Sequence, residues 1–329
     1  MKRALTGYRP TGLLHLGHYH GVLKNMLEFQ EKYECFFFVA DWHALTTEYE
    51  NPQKISEYTA ELVLDWLAAG IDPARSTIYR QSDLPEVAEL SLYFGMITPL
   101  GWLERNPTYK EQLRELKKRH LQTYGFLGYP VLQAADILIV LADVVPVGED
   151  QVPHLELTRE IARRFNSLYG NYFPEPEAAL SSFPRVPGTD GRKMSKSYDN
   201  AIFLTDPPDV IRSKVAGMFT DPKRIYKKDP GHPQECPVFA LHGFHTEKDE
   251  VMQIKEDCKN AVIGCRECKM RLAESIIRTL EPFQEERKRI ASVNPNIVSD
   301  VLSEGLKKVK PVAEKVVDDV TMLMGLKKK

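Results

Sequence analysis

A chain of 329 residues, 43 % hydrophobic and 27 % charged, has the balance of a soluble globular protein and length enough for two cores. Its net charge of −2 excludes a polycation that coats nucleic acid indiscriminately. The start lacks an apolar run of signal length and nowhere do eighteen apolar residues run without charge, so the expectation is a cytoplasmic protein with no membrane segment.

In chain order, RALTG (3–7) reads as a first strand and is followed by a helical pattern from about 18 to 33. CFFFVAD (35–41) is a second strand, PQKISEYTAELVLDWLAAG (52–70) a second helix, and STIYRQ (76–81) and VVPVG (144–148) are further strands with helical segments between them. This β-α-β-α order predicts an α/β domain of the Rossmann-like, doubly wound kind, a parallel sheet covered on both faces. Residues 170–200, rich in Pro, Gly, Ser and Asn, read as a long surface connection. Beyond it, PPDVIRSKVAGMF (207–219), the run 270–291 and the amphipathic stretch 299–326 are helical. The expected division is therefore a catalytic domain over 1–200 and a C-terminal α-helical domain over 201–329. Basic clusters at 110–120, 222–228, 285–290 and the tail are mixed with carboxylates and read as solvated helix faces.

Three histidines fall within GLLHLGHYHG (12–21), directly after the turn residues of YRPTG. If RALTG is the first strand, His15 and His18 lie at the carboxyl edge of the sheet beside a helix N-terminus. Backbone N–H groups, the helix dipole and imidazoles that take up charge next to a phosphate would make an anion site there. Far downstream, GRKMSKSYDN (191–200) places Lys193 and Lys196 around Met194 and Ser195 in a loop able to fold over a triphosphate.

HLGH and KMSKS resemble the two signature motifs of class I aminoacyl-tRNA synthetases. GYRPTGLLHLGHY, DWHALTT, YPVLQAADIL, GEDQVPHLELTREIARRFN and GRKMSKSYDNAI follow in the order of the tryptophanyl-tRNA synthetases, so the resemblance spans nearly the whole chain. It implies an ATP site made of Arg9, Pro10, Thr11, Gly17, His18, Gly148, Asp150, Met194, Ser195 and Lys196. Asp150 and Gly148 would meet the ribose and Met194 would lie near adenine. It implies catalysis by Lys193, Lys196, His15 and His18 on the phosphates, with Mg²⁺, and transfer of the acyl group to the 2′-hydroxyl of the tRNA terminal adenosine. A homodimer is also implied. Arg9 stands where many bacterial relatives have glutamine, and His15 and His18 where many have Thr and Asn, which bears on how ATP or magnesium is held.

The amino acid needs a physical argument, because tyrosyl enzymes share much of this pattern. Tyr129, Gln133 and Asp136 fall at i, i+4 and i+7, on one helix face. The apolar run around Asp136 points to a buried carboxylate, which would accept an indole N–H or a phenol O–H. Tyrosyl relatives place a tyrosine two residues before the glycine matching Gly7; here that position is Leu5, an apolar wall suited to L-tryptophan. Ala134 and Ala135 agree. By the resemblance, Tyr129 and Gln151 hold the substrate ammonium and carboxylate, and His43 lines the pocket.

Four cysteines, Cys236, Cys258, Cys265 and Cys268, have the spacing C-x21-C-x6-C-x2-C. Such a set closes a zinc site, holds a [4Fe–4S] cluster or stays as free thiols. The spacing resembles that of a bacterial subset of tryptophanyl enzymes carrying a [4Fe–4S] cluster near the anticodon-binding region. Nearby Lys269 and Arg271 would then meet anticodon phosphates. Two other readings stand beside a tryptophan–tRNA ligase: a tyrosine–tRNA ligase, and a non-catalytic nucleotide- or RNA-binding descendant with a redox-sensing cluster.

Overall fold

The computed structural model describes residues 1–105, 123–148, 152–180 and 185–327. The basic stretch 110–120 and the site positions Asp150 and Gln151 lie outside the described residues.

The described strands are β1 (Arg3–Tyr8), β2 (Glu34–Val39), β3 (Ser76–Arg80), β4 (Val144–Val147) and β5 (Glu177–Leu180). They form one sheet in the order β3-β2-β1-β4-β5, every pairing parallel. From Cys35 to Val39 every residue of β2 is buried. A parallel strand covered by helices on both faces must be apolar throughout, which is why CFFFV is a continuous run and not an alternation. β5 is an addition to the strands read from sequence: four residues, one of them Glu177, inside the stretch read as a surface connection. It pairs with β4 from Val144↔Glu177 to Val147↔Leu180.

Contacts divide the chain into two units, and the division differs from a cut at residue 200. The sheet unit comprises 1–11, 25–182 and 294–329; the helical unit comprises 12–24 and 183–293. The C-terminal helix Ile297–Leu323 therefore belongs with the sheet, against the expectation that it sits in the second domain. It lies so near β3 that a Cβ on Gly305 would stand 1.7 Å from the Ile78 carbonyl oxygen. Val309, Ala313, Val316, Val317 and Val320 from the same helix join Leu5, Phe36 and Phe38 in one buried cluster.

The helical unit holds the helices Pro208–Ala216, Pro237–His245, Lys248–Lys259 and Cys265–Val293. It also takes in the HLGH turn and the KMSKS loop. Among the described residues, no helix is long and apolar enough to cross a membrane.

Candidate active site

Within the helical unit, two segments remote in sequence are stitched together. Leu16 N–H donates to the Ile202 carbonyl at 3.0 Å and Leu204 N–H to the Leu14 carbonyl at 3.0 Å, so the HLGH turn and the chain just after KMSKS run side by side. Lys196 reaches back, and its Nζ donates to the Gly12 carbonyl at 2.9 Å. Gly12 has φ +138°, a conformation closed to side chains, and a Cβ there would lie 3.0 Å from Lys196 Cδ. Met194 is buried and Lys193 bridges to Pro187.

The helix begins at Leu16, with His15 as its N-cap, two residues before the start read from sequence. Gly17 N–H donates to Nδ1 of His15 at 3.1 Å, and His15 N–H donates to Nδ1 of His18 at 3.0 Å. Each ring accepts through Nδ1, so the proton of each neutral imidazole sits on Nε2. His18 N–H and Tyr19 N–H both reach the His15 carbonyl. The two imidazole Nδ1 atoms, the His15 carbonyl and the Ile202 carbonyl thus occupy the N–H groups expected to meet an anion, and each imidazole keeps its proton on Nε2.

The charge on these histidines is set by burial and the neighbouring lysines. Burial first, then the Lys196 and Lys193 cations, push His15 down to about 3. His18 is driven down by burial, then by His15 and the same lysines. Both are neutral donors at pH 7, and the positive charge comes from the lysines.

Asn200, 1 % exposed, organises the loop. Its Oδ1 accepts from Ser195 N–H at 2.8 Å, and its Nδ2 donates to the Lys193 carbonyl at 3.2 Å and to Asp190 at 2.7 Å. Nothing marked it in the sequence beyond its place at the end of KMSKSYDN.

In the sheet unit several other predicted residues lie on a strand or just after one. Leu5 and Gly7 lie on β1, His43 in the first turn of the helix Asp41–Glu48 after β2, and Gly148 just past β4. Gly7, Phe38 and Tyr79 form one rung across β1, β2 and β3, with the Phe38 ring over Gly7 and stacked on Tyr79 at 5.7 Å. Leu5 is buried in the same cluster. Arg9 Nη2 donates to Thr47 of the DWHALTT segment, Pro10 is buried and Thr11 is half-buried.

Asp136 sits on the helix Tyr124–Ile139 and is 1 % exposed. His43 Nε2 donates to its Oδ2 at 2.8 Å, and Gln81 Nε2 donates to both carboxylate oxygens at 2.8 and 2.9 Å. Burial raises the Asp136 carboxyl above its ordinary range, and the His43 and Gln81 hydrogen bonds oppose the rise. An ionised carboxylate offers about four acceptor positions, and three contacts leave it able to take one more donor. The Tyr129 hydroxyl is 2.7 Å from His154 Nε2, and its ring meets His43 edge-on at 6.2 Å. Gln133, half-buried, follows Tyr129 by one turn. Gln81 and His154 carried no motif of their own. The one available signal was position, directly after a strand for Gln81 and inside GEDQVPHLE for His154.

The four cysteines share one neighbourhood. Burial raises Cys236 and Cys258 and carries Cys268 up to about 12, and the charge of the neighbouring cysteines adds to the rise at each. Arg224 Nη1 stands 3.8 Å from Cys258 Sγ, and Cys268 Sγ is 3.5 Å from His242 Nε2. Among the described residues, however, no three His, Cys, Asp or Glu side chains are arranged to hold a metal ion. As placed, the Cys258 thiol lies against Arg224 and the Cys268 thiol against His242. The donor set is the right kind for a metal; its arrangement here is not that of a closed site.

Along the helix Cys265–Val293 runs a cavity of about 830 Å³ lined by Arg212, Arg266, Lys269, Arg271 and Arg278 together with Glu250, Glu267 and Glu274. Glu274 pairs with Arg212 at 2.7 Å and Glu267 with Arg271 at 2.6 Å. Basic groups outnumber acidic ones around it.

The sequence model of the family described as class I tRNA synthetases (W and Y) matches residues 1–281. The tryptophan–tRNA ligase of Thermotoga maritima is 52 % identical over 326 residues, covering 98 % of this chain and 99 % of its own. That of Aquifex aeolicus is 44 % identical, covering 98 % and 100 %. The tryptophanyl-tRNA synthetase of Campylobacter jejuni, solved with ADP and tryptophan, superposes with a TM-score of 0.90 at 31 % identity over 98 % of this chain and 99 % of that one. With these motifs, this sheet and these matches along its length, the chain belongs to the class I tRNA synthetases of the W and Y family.

Proposed function

We propose that the protein is a tryptophan–tRNA ligase: it activates L-tryptophan with ATP to tryptophanyl-adenylate and pyrophosphate, then transfers the acyl group to the 2′-hydroxyl of the terminal adenosine of its tRNA. The observation that carries the reading is the buried Asp136 carboxylate, held by His43 and Gln81 with capacity for one further donor, while the buried, apolar Leu5, where tyrosyl relatives place a tyrosine, favours indole over phenol. The single N–H of indole fills that capacity. A ligand lacking the donor leaves a buried carboxylate underpaired, which disfavours it strongly. Tyr129 and Gln151 take the ammonium and carboxylate of the amino acid, and Leu5, Gly7, His43 and Gln133 complete the pocket.

For the nucleotide, Lys193 and Lys196 meet the β- and γ-phosphates while the Nε2–H groups of His15 and His18 donate to the same anion. Arg9, Pro10, Thr11, Gly17, Gly148, Asp150, Met194 and Ser195 complete the ATP site. The tryptophan carboxylate attacks the α-phosphate in line and pyrophosphate leaves. No side-chain nucleophile is needed, because positioning and cationic stabilisation of the leaving group, shared with the Mg²⁺ that accompanies ATP, supply the rate.

The helical unit is proposed to carry the anticodon contacts, with Lys269 and Arg271 in the basic cavity meeting tRNA phosphates. Cys236, Cys258, Cys265 and Cys268 are proposed to hold a [4Fe–4S] cluster, with zinc the alternative. Their mutual proximity and the Arg224 cation beside Cys258 support this reading. A homodimer fits the exposed Leu92 and Met96, one turn apart, and the exposed Tyr124. The protein is proposed to act in the cytoplasm, among its substrates.

ATP–pyrophosphate exchange with tryptophan and tyrosine supplied separately tests the proposal. Exchange with tryptophan alone is expected; exchange with tyrosine alone transfers the function to that amino acid, and none with either supports a non-catalytic binding role. Visible absorption with iron and zinc analysis decides the cysteine site.

A further inference from the structure

Directly after His18 the helix opens into a single π-turn, Tyr19–Leu23, in which His20, Gly21 and Leu23 are buried. Such a turn interrupts the regular hydrogen-bond ladder and accumulates at functional sites. What grips it is an imidazole pair. Nε2 of His20 lies 3.2 Å from Nε2 of His245, the last residue of the helix Pro237–His245, with the two rings edge to face. Tyr19 meets the His20 ring edge-on at 5.2 Å and Phe244 lies against it at 5.0 Å.

Burial, with the charge of Lys24 nearby, lowers His20 to about 4; burial, His20, Lys24 and His242 lower His245 to about 3. Both rings are neutral at pH 7, and one donates its Nε2 proton to the other. Nδ1 of His245 is buried with no hydrogen-bond partner. Burying an unsatisfied ring nitrogen is costly, so an apolar side chain would serve packing better, and the feature that distinguishes this histidine is its Nε2. The helix that carries it is anchored independently. One turn earlier, His242 bonds the Cys268 carbonyl through Nε2 at 3.2 Å and Thr246 Oγ1 through Nδ1 at 2.8 Å.

We propose that His245 is a positioning residue for adenylate formation: through its one hydrogen bond to His20 it fixes the π-turn and thereby the place of the His18 imidazole two residues earlier. The inference rests on the reading that His15, His18, Lys193 and Lys196 hold the triphosphate. His245 touches no substrate; it sets where a phosphate donor lies, and small misplacements of such groups cost rate steeply.

Three substitutions separate this role from packing. His245→Gln carries an amide to the place of Nε2, His245→Asn carries one only to the place of Nδ1, and His245→Phe keeps the ring and removes both nitrogens. In tryptophan-dependent ATP–pyrophosphate exchange, His245→Phe and His245→Asn are expected to lower kcat about tenfold and raise KM for ATP, with KM for tryptophan unchanged and His245→Gln within about twofold of the parent. His20→Phe should match His245→Phe, and the double variant should be no worse than either single one. Should His245→Phe not fold, the Gln and Asn variants carry the comparison. Parent-like kcat in the Phe or Asn variant overturns the inference, as does equal loss in Gln and Asn or a parallel rise in KM for tryptophan. His18→Ala is the control: loss there without loss at His245 rejects this inference alone, whereas no loss at His18 rejects the phosphate-site reading beneath it.

Discussion

The imidazoles of His15 and His18 stack with centroids 3.6 Å apart, each held through Nδ1 by a backbone N–H of the turn they share. Two rings fixed this way each keep the proton on Nε2, and burial with the lysine charges holds both neutral near pH 7. Replacing His18 by alanine removes one donor and is expected to lower kcat for pyrophosphate exchange about 100-fold, the usual scale for one preorganised donor. The pH–rate profile of the parent between pH 6 and 8 should show no inflection that His15→Ala abolishes.

Acid stability follows from the same burial. The folded-state values of about 3 for His15, about 4 for His20 and about 3 for His245 all lie below the ordinary 6.5. The unfolded chain then binds protons that the folded chain refuses. The stability these neutral histidines retain above pH 6.5 is lost progressively as pH falls from 6.5 toward 3, at about 1.4 kcal/mol per pH unit for each fully responding histidine. Urea unfolding of the parent at pH 7.5, 6.0 and 5.0 should show this slope, and His20→Gln/His245→Gln should flatten it.

Lys196 depends on Gly12 for its place. Gly12→Ala forces a side chain into φ +138° and sets a methyl 3.0 Å from Lys196 Cδ. Exchange should fall at least tenfold through kcat and KM for ATP, while tryptophan binding measured by fluorescence or calorimetry without ATP should stay within about twofold.

The amino-acid pocket responds oppositely. Gln81→Ala removes two hydrogen bonds from the buried Asp136 carboxylate, whose ionised form they favour. The carboxyl then rises further, and KM for tryptophan is expected to increase about tenfold with KM for ATP unchanged. Asp136→Asn should lose more, measured by the same exchange assay.

Gly305→Ala tests whether the C-terminal helix belongs to the sheet unit. A methyl group 1.7 Å from the Ile78 carbonyl oxygen has to push the helix off β3. Denaturant unfolding should show a loss of about 3 kcal/mol, at the upper end for overpacking.

Four of the five described strands are legible in sequence because buried parallel strands are unbroken apolar runs, as in CFFFV. β5 is not, since EAAL between prolines has neither length nor pattern. The amphipathic stretch 299–326 identifies a helix but not the core it packs on, because the close approach of Gly305 to the Ile78 carbonyl exists only once β3 is in place. The HLGH and KMSKS histidines and lysines are legible as motifs. Gln81, His154, Asn200 and His245 act through burial and hydrogen bonding, which exist only once remote segments meet.

The most direct test of the central claim is a double-mutant cycle in pyrophosphate exchange with His18→Ala, Lys196→Ala and the pair. If both side chains act on one triphosphate, the two losses should be non-additive by about 0.5–3 kcal/mol. Losses that add fully, leaving the double variant at the product of the single effects, would contradict a shared phosphate site.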